Sequence, residues 1–302
     1  MLILFVKQMF GFRLLRLSPG SILKQLIPPI LISAVQALID LRSGTRFTGD
    51  YKGWENALSD SVGYHDGEIL SKVLGSAIEV RDGRATFERD SVVFHHEEFV
   101  WPTLACLCDV AARNHGRLSV VDFGGSLGSF YSQHRKFLDS YDTTWSVVEQ
   151  PHFVEAGRKE LATDTLRFEE SISDVKNEHD SRVLFLSAVL HYLPEPHRFL
   201  ADICAKRWDA VIIDRTPLLE YIPTDRLTVQ HVPASIYAAK YPAWFFSKAR
   251  FLAAFNGHFI LQSHWESLDM YKLDGKTIQT QGFYFLKKSL INPAVERLEV
   301  LS

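Results

Sequence analysis

Between Leu118 and Asp214 the chain alternates apolar strand runs with amphipathic helical segments, and this alternation restricts the fold more than any other feature. LSVVDF (118–123), WSVVE (145–149), LRF (166–168), RVLFLS (182–187) and WDAVIID (208–214) read as five strands. SFYSQHRKFL, PHFVEAGRKEL and PEPHRFLADICAKR read as helices between them, with Pro151 at a first helical position. Strands alternating with helices mean a parallel sheet covered on both faces. The end differs. HFILQSHW (258–265) and GFYFLKK (282–288) have no helix between them and are expected to pair antiparallel. Upstream, residues 50–90 read as short helices broken by glycines, and Glu97–Asn114 as a helix with Pro102 in its first turns. The expected organisation is an N-terminal helical extension over residues 1–96 and an α/β domain over 97–302.

Composition narrows the function. A chain of 302 residues, 46% hydrophobic and 23% charged, has a real core. A net charge of −3 provides no overall basic field for nucleic acid. Three cysteines do not build a disulfide framework and suit a cytoplasmic protein. Cys106 and Cys108 lie on opposite faces of a helix, His95 and His96 point apart in a strand, and no metal site is read. The first forty residues are apolar and carry Lys7, Arg13, Arg16 and Lys24 with no acid before Asp40. Pro28-Pro29 break their longest uncharged stretch, so a spanning helix is not expected. Two readings stay open: an amphipathic helix at the inner face of a membrane, or a helical pair packed on the body.

The sharpest motif is VVDFGGSLG (120–128), a strand ending in Asp122 that turns through Gly124, Gly125 and Gly128 into a helix. Glycines let backbone amides approach a ligand, and the helix start adds partial positive charge. Twenty-one residues after Gly128 the second strand ends in Glu149, where an acid accepts hydrogen bonds from ribose hydroxyls. The alternative is that the glycines serve helix-strand packing. A dinucleotide fingerprint is absent, since Ser126 and Ser129 stand where its later glycines belong.

The spacing Asp-x-Gly-x-x-x-Gly resembles motif I of class I S-adenosylmethionine-dependent methyltransferases, with Ser126 in place of the usual middle glycine. SAVLHYLPEP after the fourth strand is similar to their cofactor-contacting segment. The resemblance implies a Rossmann-like seven-stranded, mostly parallel sheet with an antiparallel C-terminal strand, and S-adenosylmethionine as cofactor. DFGGSLGSFY, WSVVEQP, IIDRTP and YPAWFF, with GDYKGWENAL upstream, also resemble an uncharacterised bacterial methyltransferase family from surface-polysaccharide gene neighbourhoods. On this resemblance Asp122, Gly124, Gly125, Ser126 and Gly128 surround the methionine part of the cofactor. Glu149 holds the ribose, with Gln150 beside it among the cofactor contacts, Glu169 or Glu170 reaches the adenine edge, and Ser187 to Leu190, Ala188 among them, close over the cofactor.

Methyl transfer needs alignment and, for a hydroxyl acceptor, a base. Candidates follow the fourth and fifth strands: His191, Asp214 and Arg215, the last suited to an anionic group. Residues 216–244 read as a long loop carrying Gln230, His231, Tyr237, Tyr241 and Trp244, with His231 a further candidate base. Each has a structural reading beside the functional one: a core or capping histidine, a loop-bracing Asp-Arg pair, an aromatic lid. The expected activity is methylation of a small polar acceptor, an O-methylated sugar or glycan precursor. The rival is a non-catalytic nucleotide-binding or scaffold protein. Oligomeric state is not read from the sequence.

Overall fold

The computed structural model describes residues 46–61, 66–176, 182–232 and 239–288. The apolar, basic segment 1–40 and Tyr237 lie outside the described residues.

In chain order the elements are strand β1 (Arg46–Tyr51), helices α1 (Trp54–Ser59) and α2 (Asp66–Arg81), and a hairpin of β2 (Phe87–Arg89) and β3 (Val92–Phe94). Helix α3 (Trp101–Arg113), β4 (Arg117–Phe123), α4 (Ser129–Leu138), β5 (Asp142–Val148), α5 (Pro151–Glu160), β6 (Leu166–Glu169) and β7 (Val183–Ser187) follow. A 3-10 turn (Leu190–Tyr192) leads to α6 (Pro196–Cys204), β8 (Ala210–Leu219), β9 (Arg226–Val232), β10 (Ala239–Ser247), α7 (Lys248–Ala253), β11 (Phe259–Leu273) and β12 (Lys276–Lys287).

Ten strands form one sheet in the order β10-β9-β1-β11-β12-β8-β7-β4-β5-β6. The five read from sequence, β4 to β8, pair in parallel. Their apolar runs divide between two cores by simple alternation. Val120, Trp145, Val147, Val183, Phe185 and Ile212 face one side, with Leu107 and Val110 of α3 and Leu138 of α4. Val121, Val148, Leu184, Leu186 and Ile213 face the other, with Leu200 and Ile203 of α6 and Phe251 of α7. The helices end as their residues dictate: Pro151 and Pro196 open α5 and α6, and α4 starts from left-handed Gly128. The β11–β12 antiparallel pair matches the expectation for the chain's end.

The sheet departs from the expected seven strands. β10 also pairs with β8, so β8-β12-β11-β1-β9-β10 close into a six-stranded ring attached to the parallel half. Phe47, Ala243, Phe245 and Leu273 make a small separate core there. The segment 216–244 is therefore not a loop. Pro217 and Pro242 both stand inside its strands. Pro217 pairs with Thr280 beyond the last β7 partner of β8, at Asp214. Pro242 pairs with Val229 on β9, where β8 does not flank β10. The segment before Glu97 is not wholly helical either. β1 finds its ladder partners in β9 and β11, almost two hundred residues away and more, and local pattern cannot reveal such pairing. Among the described residues no helix is long and apolar enough to cross a membrane.

Candidate functional site

The C-terminal ends of β4 and β7, and the middle of β8 where its pairing with β7 stops, open into a cleft of about 260 Å³. Ligands of open α/β sheets bind at such strand ends. Asp122 and the Gly124–Ser126 turn line it from β4, Ser187 and Ala188 from β7, and Asp214 and Arg215 from β8. The opposite wall is the β2–β3 hairpin, with Glu88, Arg89, Asp90 and Ser91.

Backbone strain concentrates here. Ser126, Ala188 and Arg215 all have φ near +55°, one after or within each of the three strands. Asp90 (φ 50°) and Ser91 (φ 68°) form the two-residue hairpin turn above them. Non-glycine residues hold this conformation at a cost, and such outliers cluster at ligand sites.

The glycines of the turn have a packing duty. A Cβ on Gly124 (φ +74°) would come within 3.0 Å of two Val189 side-chain carbons. One on Gly125 would come within 3.0 Å of all three Asp122 carboxyl atoms. One on Gly128 would meet Leu166 Cδ1 at 2.9 Å. The packing reading of these glycines holds in the structure, independently of any ligand. Gly125 in particular leaves the space in which the Asp122 carboxyl folds beneath the turn.

Asp122 is fully buried and accepts a hydrogen bond from Trp145 Nε1 at 3.0 Å. Burial pushes its carboxyl up to about 7, against that bond. Glu149 accepts from the backbone N–H of Ser126 (3.3 Å) and of Gln150 (2.8 Å), and burial raises it despite both. It therefore sits against the glycine turn, as its strand-end position implied, although it does not line the cleft. Gln150 is exposed and contributes only its N–H to this contact. Glu170 is exposed beyond β6 and is not among the cleft residues.

Asp214 is saturated. Its Oδ1 accepts from Ser267 Oγ (2.5 Å), Trp265 Nε1 (3.1 Å) and the Arg215 N–H (3.0 Å), and its Oδ2 from Thr103 Oγ1 (3.3 Å). Burial still raises it. Arg215 bridges two carboxylates, Nε to Asp269 at 2.6 Å and Nη2 to Asp90 at 3.0 Å. The guanidinium is thus spent tying the hairpin to β11 and β8, and its fork is not free for an anionic acceptor. This is the loop-bracing alternative in an extended form.

The two histidines are elsewhere. His191 is fully buried on the 3-10 turn, its ring tilted against that of Tyr192 with centroids 3.9 Å apart, and outside the cleft lining. Neither ring nitrogen has a partner among the described residues. Burial, with Arg215 nearby, depresses it to about 3, so it stays neutral. His231 lies on β9 with Nε2 2.8 Å from Thr48 Oγ1, on the far arm of the ring. Tyr192 donates to Gln230 Oε1 (2.8 Å) and meets Tyr241 edge-on, while Trp244 donates to the Leu193 carbonyl (3.1 Å). These aromatics are wall packing in and around the ring, away from the cleft lining.

Sequence reasoning missed Glu88 and the β11 residues. Glu88 is 4% exposed, accepts from Ser129 Oγ at the start of α4 and from the Ser91 N–H (3.3 Å), and burial raises it to about 7. Its signal was FERDSVVF, two short strand runs around a two-residue turn. On β11, Trp265, Ser267, Asp269 and Tyr271 alternate inward, the first three onto Asp214 or Arg215. The alternation W-x-S-x-D-x-Y was readable, but its target was not.

No protein-family model matches the chain and no curated protein matches it. The resemblance to a surface-polysaccharide family therefore finds no support. Similar solved structures include a 1,6-didemethyltoxoflavin-N1-methyltransferase of Burkholderia thailandensis, 16% identical, covering 75% of this chain and 92% of that one (TM-score 0.37). CalS10, an amino pentose methyltransferase from Micromonospora echinaspora with bound S-adenosylmethionine, is 11% identical over 62% of this chain and 90% of its own (TM-score 0.39). Magnesium protoporphyrin IX methyltransferase from Synechocystis is 10% identical over 72% and 97% (TM-score 0.39).

Proposed function

We propose that the chain is an S-adenosylmethionine-dependent methyltransferase acting on a small polar acceptor such as a sugar or glycan precursor, with the cofactor held in the strand-end cleft. The observation that carries this reading is electrostatic. Asp122 and Asp214 are buried on the β4 and β8 sides of one cleft, and neither has an ion-pair partner among the described residues. Buried carboxylates without a counter-charge are costly, and a ligand with positive groups offsets that cost. S-adenosylmethionine carries an ammonium and a sulfonium, and when bound it supplies an activated methyl group.

Around it, Asp122 and the Gly124–Ser126 backbone would orient the amino-acid part, and Glu149 would accept from the ribose hydroxyls. Ser187 and the strained Ala188 would close the β7 side. Gln150, Glu170 and Gly128 have supporting places at most. Asp214, held by four donors, would act as a fixed negative charge rather than as a proton acceptor. His191 and His231 are not among the cleft-lining residues, and this reading gives them no role as bases.

Ultraviolet crosslinking with methyl-tritiated S-adenosylmethionine tests the reading. The label should enter the peptides spanning residues 117–150 and be competed by S-adenosylhomocysteine. Label distributed over the whole chain, or uncompeted, would refute the cleft as the cofactor site.

A further inference from the structure

The cleft holds more acidic groups than the net positive charge of one cofactor matches. Its lining carries four acids, Glu88, Asp90, Asp122 and Asp214, and two bases, Arg89 and Arg215. Both bases are already neutralised. Arg215 pairs with Asp90 and Asp269, and Arg89 pairs with Glu98 at 2.8 Å. Three buried carboxylates remain. S-adenosylmethionine brings two positive groups but also its own carboxylate, a net charge of about +1 set against three buried acids.

The three carboxylates are not equivalent in position. Asp122 and Asp214 belong to the main sheet, under the glycine turn and behind Ser267. Glu88 belongs to the separate β2–β3 sheet, which faces those strand ends from across the cleft. The hairpin is fixed there by the Asp90–Arg215 ion pair and by Ser76 Oγ donating to the Ser91 carbonyl at 2.8 Å. Two neutral donors, the Ser129 hydroxyl and the Ser91 amide, orient the Glu88 carboxylate, which forms no ion pair among the described residues although Arg89 lies nearby. An oriented, buried carboxylate with no ion pair is the complement of an ammonium group.

We propose that Glu88 is an acceptor-binding residue that anchors a positively charged nitrogen, so that the acceptor is a polar molecule bearing an amine. This rests on the cofactor reading above and reverses the anionic acceptor that Arg215 suggested from sequence. It leaves open which atom of the acceptor is methylated. It also gives burial of Glu88 a purpose: the ligand ammonium holds it ionised, where burial alone favours the protonated form.

The test uses the full chain saturated with S-adenosylhomocysteine at neutral pH, titrated with glucosamine, glucose or glucuronate and followed by ligand-observed NMR. Glucosamine should bind about tenfold more tightly than either of the others, the equivalent of ~1.4 kcal/mol for one charged contact. Glu88→Gln should erase that preference while S-adenosylhomocysteine affinity, measured by calorimetry, stays within about twofold. Glu88→Asp should keep part of the preference. Preference for glucuronate, equal binding of all three, no glucosamine binding, or an unchanged preference in Glu88→Gln would overturn the proposal. Loss of S-adenosylhomocysteine affinity in Glu88→Gln would also overturn it, by moving Glu88 to the cofactor. A wild-type protein that binds neither S-adenosylmethionine nor S-adenosylhomocysteine refutes the cofactor reading instead, and so separates the two failures.

Discussion

Asp122→Asn should change how stability depends on pH, by an amount the structure sets. The carboxyl is fully buried and raised from 3.8 to about 7, chiefly by desolvation. The folded protein therefore holds this proton more tightly than the unfolded chain does. The resulting stabilisation is complete below about pH 4 and is lost as pH rises through 7. Integrated over the titration, about 2.5 kcal/mol disappears between roughly pH 5 and pH 8. Asn keeps the shape and an acceptor for Trp145 Nε1 but cannot ionise, so this part of the slope vanishes. Urea unfolding of both proteins from pH 5 to 8 measures the difference directly. Saturating S-adenosylmethionine should flatten the wild-type curve as well, because a bound cation favours the ionised carboxylate. Parallel curves for wild type and variant would refute the argument that Asp122 is a buried, uncompensated acid.

Three further outcomes follow from particular contacts. Gly124→Ala should destabilise the fold by about 2–3 kcal/mol, from a left-handed Ala and its collision with Val189, and Val189→Ala should recover part of that loss in thermal melts. Asp269 is the less exposed partner of Arg215 (24% against 65% for Asp90), so Asp269→Asn should lower the unfolding free energy by about 2–3 kcal/mol and Asp90→Asn by under about 1 kcal/mol. His231→Ala loses one hydrogen bond to Thr48 and should cost under about 1 kcal/mol, with cofactor affinity within about twofold by calorimetry.

The parallel half of the sheet was legible because its strands are buried on both faces, so apolar runs such as Leu118–Phe123 and Val183–Ser187 mark themselves. Their helices announce their starts with Pro151 and Pro196. The six-stranded ring was not legible. Its strand β1 finds partners only in the distant β9 and β11, and β10 reaches β8 only through closure. For the same reason His231 and Trp244 looked like loop residues above a site, whereas the ladder fixes them in a wall. Strand ends were readable, which is why Asp122, Ser187, Ala188, Asp214 and Arg215 were placed at one cleft. What occupies each side chain was not. Arg215 seemed a free fork until Asp90 and Asp269 were seen to fill it, and those residues lie 125 and 54 positions away. Glu88 escaped for the complementary reason: its hairpin is short, and only tertiary packing on α4 carries it to the cleft.

The central claim is that the cleft binds S-adenosylmethionine, and isothermal calorimetry of wild type against Glu149→Ala tests it most directly. Glu149 accepts two backbone N–H bonds beside the glycine turn and would give its remaining acceptor capacity to the ribose. The account predicts one site per chain in wild type, with affinity weakened by about 1.5–3 kcal/mol, or roughly ten- to a hundredfold, in a variant that melts as a folded protein. No binding by wild type, or equal affinity in the folded Glu149→Ala variant, would contradict it.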